Sequence, residues 1–225
     1  MSTHFGLSLR ASKYGLKMTR ENYATINNRS SFKRPQGLYK GSNKDLFTDE
    51  TMKYYSEAFC QEHYKRCMEN YDLNIKFFQQ LDHNKFNTEI ESFRKKHKYF
   101  ISVQDLTQYE SVPGYYIMVL DEYCQLYIGN STNIKKRIQQ HWSKKKEFDR
   151  LIFGRSINVS RIAIDSFRAL DTTRIYAYST KDLYTMEDEF ISAFSDEFLC
   201  NRLDGGKIPE NFLEILEMMK LRELK

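Results

Sequence analysis

Apolar side chains recur at three- and four-residue steps between residues 49 and 81, which is the spacing of one face of an amphipathic helix. A second helical run begins at Asn87 or Thr88, because Thr88 and Glu91 have the spacing of a capping box. This run ends in a cluster of basic residues, namely Arg94, Lys95, Lys96 and Lys98. The two runs predict a mostly helical extension over residues 48–110.

Beyond Val112 the pattern changes from helical to extended. Residues 115–120 form a short apolar run bounded by turn residues, and residues 126–128 form a second run after a turn, so we predict a β-hairpin. A further strand is predicted at residues 173–178. Shorter helical patterns follow, at residues 134–142, 183–194 and 207–225.

The composition is that of a folded protein, since 40% of the 225 residues are hydrophobic and 29% are charged. The net charge of +5 lies at one end of the chain, because residues 1–50 hold nine Lys or Arg against four Asp or Glu. Residues 1–47 show neither helical nor strand periodicity, so we expect a basic, flexible arm. Such an arm can neutralise nucleic-acid phosphates or remain a solvated tail, and the pattern favours neither.

No uninterrupted apolar stretch approaches the roughly 20 residues of a membrane-spanning helix. The first ten residues also lack the apolar core of a signal peptide, so we expect a cytoplasmic protein without membrane contact. In that compartment the four cysteines are expected to remain reduced. Cys60, His63 and Cys67 would share one helix face, but structural zinc requires four ligands, so we favour buried apolar packing for these cysteines.

The second half of the chain contains side chains suited to cutting a phosphodiester bond. That reaction needs an activated water, cationic stabilisation of the phosphate oxygens and help for the leaving oxygen. Glu187 offers a carboxylate for a hard divalent cation, Arg137 a planar fork for phosphate oxygens, and His141 a group that moves protons near neutral pH. Tyr116 and Tyr127 lie on the predicted strands, and a tyrosine serves as a base only beside cationic groups.

The order and spacing of these residues resemble the GIY-YIG nuclease superfamily over roughly residues 112–206. The first signature reads Gly114–Tyr115–Tyr116, where the central tyrosine replaces the usual isoleucine, and the second reads Tyr127–Ile128–Gly129. Strand alternation turns Tyr115 away from Tyr116, so this replacement should be tolerated. The remaining matches are Arg137 and His141 on the following helix, Glu187 followed by the apolar pair Phe190–Ile191, and Asn201 near the end of the unit.

The resemblance implies an α+β fold, with a small three-stranded antiparallel sheet flanked by helices. This nuclease-like domain would span residues 111–206 and would contain an insertion at about 143–172. The helical extension of residues 48–110 would precede it, and the C-terminal helix of residues 207–225 would follow it. The resemblance does not assign a role to the insertion.

The resemblance also implies a role for each residue of the site. Glu187 would hold a single Mg²⁺ or Mn²⁺ ion, and Arg137 would steady the scissile phosphate. One of Tyr116 and Tyr127 would be the general base, and the choice between them stays open. His141 would assist proton transfer.

Other residues would shape the site and bind substrate. Asn201 would anchor the site, and Gly129 would let the backbone approach closely. Some members of the family carry a lysine directly after the second signature, where this chain has Asn130. A cation for the substrate is therefore expected from Lys135 or Lys136.

We thus predict a metal-dependent endonuclease that acts on DNA, and nothing in the motifs excludes RNA. The alternative is a nucleic-acid-binding module on the same scaffold that does not cleave. A third hypothesis is a protein-interaction domain that docks a partner through its helical half and its C-terminal helix. The patterns do not predict an oligomeric state.

Overall fold

The computed structural model describes residues 2–10, 15–23, 57–143 and 162–201, and within these ranges the fold is α+β. The helices are α1 (Arg20–Tyr23), α2 (Glu57–Phe78), α3 (His83–Lys96), α4 (Ile134–Ser143) and α5 (Glu187–Ser192). The strands are β1 (Ser2–His4), β2 (Leu7–Leu9), β3 (Ile101–Ser102), β4 (Gly114–Leu120), β5 (Gln125–Ser131) and β6 (Arg174–Ser179). None of the helices described here combines the length and the apolar character that crossing a membrane requires.

The central sheet has four antiparallel strands in the order β3-β6-β4-β5. The three predicted strands are present as β4, β5 and β6, and the hairpin between β4 and β5 is confirmed. The expected three-stranded sheet is wrong in its count, because Ile101 and Ser102 add an edge strand by pairing with Ala177 and Tyr176. Two residues are too short a run to produce a period-2 pattern in the sequence.

All seven residues of β4 are buried, because helices cover both faces of the sheet at this strand. Alternation along the strand sends Tyr115 and Tyr116 to opposite faces. The Tyr115 ring packs edge-on against Phe190 of α5, at 5.1 Å between ring centroids, whereas Tyr116 contacts His141 of α4. The central tyrosine of the first signature therefore belongs to the α5 side of the core.

Gly114 begins β4 with a φ of +153° and lies directly against the neighbouring strand. A Cβ at this position would lie 2.0 Å from the backbone oxygen of Tyr178. The first residue of the β4 signature is therefore a glycine for steric reasons, since any side chain would push β4 away from β6.

Helix α3 begins several residues before the predicted capping box. The Asp82 carboxylate accepts hydrogen bonds from the backbone N–H groups of Asn84 at 2.8 Å and Lys85 at 3.2 Å, so Asp82 is the N-cap. Thr88 lies inside the helix, where its hydroxyl donates to the Asn84 carbonyl at 2.8 Å. The capping box at Thr88 and Glu91 is therefore wrong, and the apolar stripe of the helix extends towards Phe86.

The described parts of the predicted arm pack against the rest of the fold. Strands β1 and β2 form a hairpin, and the Phe5 ring in its turn stacks on Trp142 at 6.4 Å between centroids. His4 Nε2 lies 2.8 Å from the Thr172 carbonyl oxygen, and the Leu106 backbone N–H donates to the Phe5 carbonyl at 3.0 Å. The hairpin is therefore a packed element, which the sequence pattern did not predict.

Cys67, Cys124 and Cys200 have side chains that the structure describes, and all three are buried free thiols. Burial raises the pKa of Cys67 to about 12 and that of Cys124 to about 11, so both stay protonated at neutral pH. This agrees with the expected apolar packing. The side chains of Cys60 and His63, the body of the insertion (144–161) and the C-terminal helix (207–225) lie outside the residues that the structure describes.

Candidate active site

A buried chain of hydrogen bonds joins Tyr116, His141 and Asp165. Tyr116 Oη lies 2.9 Å from His141 Nε2, and His141 Nδ1 lies 2.7 Å from Asp165 Oδ1. The three side chains come from β4, α4 and the short 3-10 turn Ile164–Ser166, so they converge only in the folded chain. Their relative exposures are 0%, 2% and 8%, which isolates the chain of bonds from bulk water.

Arg137 lies one helical turn before His141, close enough to the Tyr116 hydroxyl for its positive charge to act on it. The guanidinium charge also acts on Tyr127, and in both tyrosines it acts to lower the pKa. Burial acts in the other direction and is the larger effect, so the pKa of Tyr116 is well above its usual value and that of Tyr127 is also raised. Both tyrosines are therefore neutral phenols at physiological pH.

Tyr127 and Gly129 complete this side of the hairpin. The Tyr127 ring lies 5.0 Å from the His141 ring and 6.1 Å from the Tyr116 ring, measured between centroids. A Cβ at position 129 would lie 2.6 Å from Tyr116 Oη and 2.9 Å from Tyr127 Cε1. Gly129 therefore leaves the space that the Tyr116 hydroxyl occupies.

Glu187 is the first residue of α5 and is half-buried. Asn130 Nδ2 donates a hydrogen bond to Glu187 Oε2. Burial raises the pKa of Glu187, and the positive charge of Arg137 acts to lower it. The Glu187 charge in turn acts to raise the pKa of both Tyr116 and Tyr127, so the carboxylate shares the electrostatic environment of the hairpin.

Glu187 reaches this environment from the α5 side of the sheet. Asn130 is paired with Tyr115 across the hairpin, so its side chain lies on the face that α5 covers. Strand β5 is the outermost strand of the sheet. The carboxylate and the Tyr116–His141 pair therefore approach β5 from its two faces.

The donor set of the site fits a cation that keeps most of its water. Within the described ranges, no three His, Cys, Asp or Glu side chains come together as an all-protein metal cage. A Mg²⁺ ion needs only one or two protein carboxylates, and it takes its other ligands from water and substrate oxygens. Asn130 engages Glu187 Oε2, and Oε1 is the remaining oxygen through which Glu187 would hold such an ion.

Asn201 binds the backbone of the second signature. Its Oδ1 accepts from the Ile128 N–H at 2.9 Å, and its Nδ2 donates to the Ile128 carbonyl at 2.6 Å. The Cys200 N–H also donates to the Leu126 carbonyl at 2.8 Å. Residues 199–201 therefore lie along the outer edge of β5 and satisfy its backbone groups there.

The predicted substrate-binding residues have different surroundings. Lys135 Nζ pairs with the Glu110 carboxylate, which holds the pKa of Glu110 below its usual value. Lys136 is exposed on α4 beside Arg137. Asn130 hydrogen-bonds Glu187, and the charge of Lys135 is paired with Glu110. Of the two predicted lysines, Lys136 is therefore the one whose side chain is more available to a ligand.

Asp165 is the residue of this group that the motif analysis missed. It directly follows the apolar run Ile162–Ala163–Ile164, in a segment to which the motifs assign no role. A lone acidic residue after an apolar run is the only sequence signal, because charged residues are rarely buried without a partner. The structure supplies that partner in His141.

Comparisons with known proteins add no relative. No protein-family model, no curated protein and no solved structure matches the chain. The chemistry of the site is therefore inferred from its own geometry and from the resemblance carried by its motifs.

Proposed function

We propose that the chain is a metal-dependent endonuclease that hydrolyses phosphodiester bonds, with DNA as the preferred substrate. The observation that supports this best is the meeting of Arg137, His141 and two tyrosines on one face of a hairpin, within the electrostatic reach of the Glu187 carboxylate. A phosphate-binding cation, a proton acceptor and a metal ligand are the groups that such a reaction uses.

Arg137 would bind the scissile phosphate. Its fork of N–H donors matches phosphate oxygens, and it is half-buried at the hairpin, where water competes less for these donors. A phosphate that draws the guanidinium away from the tyrosines would also open the space beside the Tyr116 oxygen. Arg137 thus couples substrate binding to access for the attacking water.

The proton of the attacking water would leave through a tyrosine. In the Tyr116 route, the Tyr116 oxygen takes this proton while its own hydroxyl proton moves to His141 Nε2. The water oxygen bonds to phosphorus, the bond to the leaving oxygen breaks, and the leaving oxygen takes a proton from solvent. Tyr127 is the other candidate base, because it is partly exposed and already faces water.

Glu187 would hold Mg²⁺ or Mn²⁺. When bound, the ion supplies positive charge to the phosphate oxygens and lowers the pKa of its water. Glu187 is preferred over Glu189, because Glu189 is exposed and pairs with Lys96 at 3.5 Å.

The test is cleavage by the purified full chain of labelled duplex, branched and single-stranded DNA and of matched RNA, each with Mn²⁺, Mg²⁺ or EDTA. We expect metal-dependent cutting of DNA, and Glu187→Gln should lower its rate at least about 100-fold. Glu189→Gln is the matched control, since it changes the same charge two residues away, and it should cut like the wild type. The proposal fails if no substrate is cut with either metal.

The second candidate is a nucleic-acid-binding module that does not cleave. The observation in its favour is the complete burial of Tyr116, which is 0% exposed and whose hydroxyl water does not reach in this arrangement. Binding that weakens with added salt, without cleavage in any metal, would favour this candidate.

A further inference from the structure

The neighbours of the Tyr116 hydroxyl favour one direction for its proton. A hydroxyl has one proton to donate and two lone pairs that accept. Arg137 has donors only, so its positive charge near the hydroxyl favours a lone pair of the tyrosine oxygen on that side. The Tyr116 proton is then available for its hydrogen-bond partner, His141 Nε2, at 2.9 Å.

Asp165, at the other end of the hydrogen-bonded chain, favours the same direction for the Tyr116 proton. An ionised carboxylate can only accept, so the 2.7 Å bond between Asp165 Oδ1 and His141 Nδ1 places a proton on Nδ1. In a neutral imidazole with a proton on Nδ1, Nε2 is an acceptor. Arg137 and Asp165 therefore favour the same arrangement, in which Tyr116 donates to His141 Nε2 and His141 Nδ1 donates to Asp165.

Asp165 is well held for this purpose. It lies in the 3-10 turn Ile164–Ser166, which packs against α4, and it is 8% exposed. The Arg168 guanidinium donates to the Asp165 backbone carbonyl at 3.3 Å, which ties the turn to the following residues. The carboxylate therefore meets His141 at a fixed position.

We infer that Asp165 is a positioning residue that holds His141 in the Nδ1–H tautomer and thereby turns the Tyr116 hydroxyl proton inward. In this orientation the lone pairs of the Tyr116 oxygen face Arg137, or the attacking water once a phosphate has drawn Arg137 away. The consequence for catalysis rests on the proposed function: a proton arriving on the Tyr116 oxygen has an acceptor ready at His141, and the Asp165 carboxylate stabilises the resulting imidazolium.

The first test reads the tautomer and needs no activity. Nitrogen-15 labelling of histidine in the full chain, with the His141 signals assigned by their loss in His141→Gln, reports which ring nitrogen carries the proton. We expect the Nδ1–H tautomer in the wild type. Asp165→Leu, which removes the acceptor at similar volume, should give a mixture of tautomers, and Asp165→Asn, which keeps an acceptor oxygen, should lie between the two.

Asp171→Asn is the matched control. Asp171 is a second buried carboxylate of the same segment, and it accepts from the Met18 N–H at 2.8 Å and from the Tyr123 hydroxyl at 3.2 Å. Its replacement should leave the His141 tautomer unchanged. An Nε2–H tautomer in the wild type overturns the inference, even if the Leu variant fails to fold. An unchanged tautomer in a folded Asp165→Leu variant overturns it as well.

The second test measures cleavage kinetics. We expect Asp165→Leu to lower kcat on the order of 100-fold while KM changes less than about twofold, and Asp165→Asn to recover part of the loss. If the wild type cuts nothing, the proposed function fails, and the tautomer still decides the role of Asp165. If Asp165→Leu changes the tautomer but leaves kcat unchanged, the catalytic consequence is overturned.

Discussion

The Asn201 side chain binds both polar groups of the Ile128 backbone, accepting from its N–H at 2.9 Å and donating to its carbonyl at 2.6 Å. A side-chain amide thus occupies the place of a neighbouring strand at the outer edge of β5. The backbone of the second signature is held in register at one point on this edge, between Tyr127 and Gly129.

Asn201→Ala should leave both Ile128 groups without these partners. Each buried polar group that loses its partner costs about 1–3 kcal/mol, so we expect a clear drop in the free energy of unfolding, measured with urea. Asn22→Ala is the control, since Asn22 also accepts from a backbone N–H and donates to a backbone carbonyl, but at an exposed position. If both variants lose the same free energy of unfolding, burial of the Asn201–Ile128 hydrogen bonds does not add to their contribution.

Gly129→Ala should force the two tyrosines apart. The added methyl group would lie 2.6 Å from Tyr116 Oη, and overpacking of this kind costs about 1–3 kcal/mol. Tyr116→Phe removes the oxygen that is closest to the new methyl group. Gly129→Ala should therefore cost less stability in the Tyr116→Phe background than in the wild type, and a double-mutant cycle measured by chemical unfolding checks this. Additive effects would show that the clash lies elsewhere.

Glu187→Gln should stabilise the metal-free protein at neutral pH. Burial raises the pKa of Glu187, so the folded state binds its proton more tightly than the unfolded state, and the ionised carboxylate lowers the free energy of unfolding. Gln avoids this cost and still accepts from Asn130. With a chelator present, we expect a higher Tm for Glu187→Gln at about pH 7.5, and the difference should vanish as the pH falls to about 4.

Added Mg²⁺ should reverse this order, because only the wild type gains stability from binding the ion. The Glu189→Gln variant should follow the wild type under both conditions. If Glu187→Gln is less stable than the wild type in chelator, burial of the ionised Glu187 carboxylate does not destabilise the fold, and the prediction is wrong.

Lys136→Ala should weaken binding to duplex DNA more than Lys135→Ala. Each lysine that contacts a phosphate contributes about 0.9 to the slope of log K against log salt, and the Lys135 charge is already paired with Glu110. Fluorescence anisotropy over a range of salt concentrations measures this slope. Glu110→Gln is the complementary variant, since it releases Lys135 and should steepen the slope. Equal effects of the two lysine changes would contradict this division.

The elements with a strong period were predictable from the sequence. Strands β4, β5 and β6 and helix α4 have enough residues for their apolar pattern to identify them. The start of α3 was misplaced, because a capping box at Thr88 has the same spacing whether or not Asp82 caps the helix earlier. The capping residue is chosen by tertiary context, and a local spacing rule does not contain that information.

Parts of the site depend on contacts between distant segments and leave little trace in sequence. Asp165 binds His141 across 24 residues, and nothing in the spacing of the two residues indicates a pair. The pairing of Lys135 with Glu110 is of the same kind. The identity of a candidate residue was predictable from its motif, whereas the partner that sets its charge and direction was not.

The contact between the β1–β2 hairpin and the end of the insertion joins segments that are made at very different times during synthesis. His4 meets the Thr172 carbonyl across 168 positions of the chain. The β1–β2 hairpin is synthesised well before Trp142 and Thr172, so the surface on which it docks does not exist until both have been made. Contacts this distant in sequence slow folding, so docking of the β1–β2 hairpin is expected to be a late folding step.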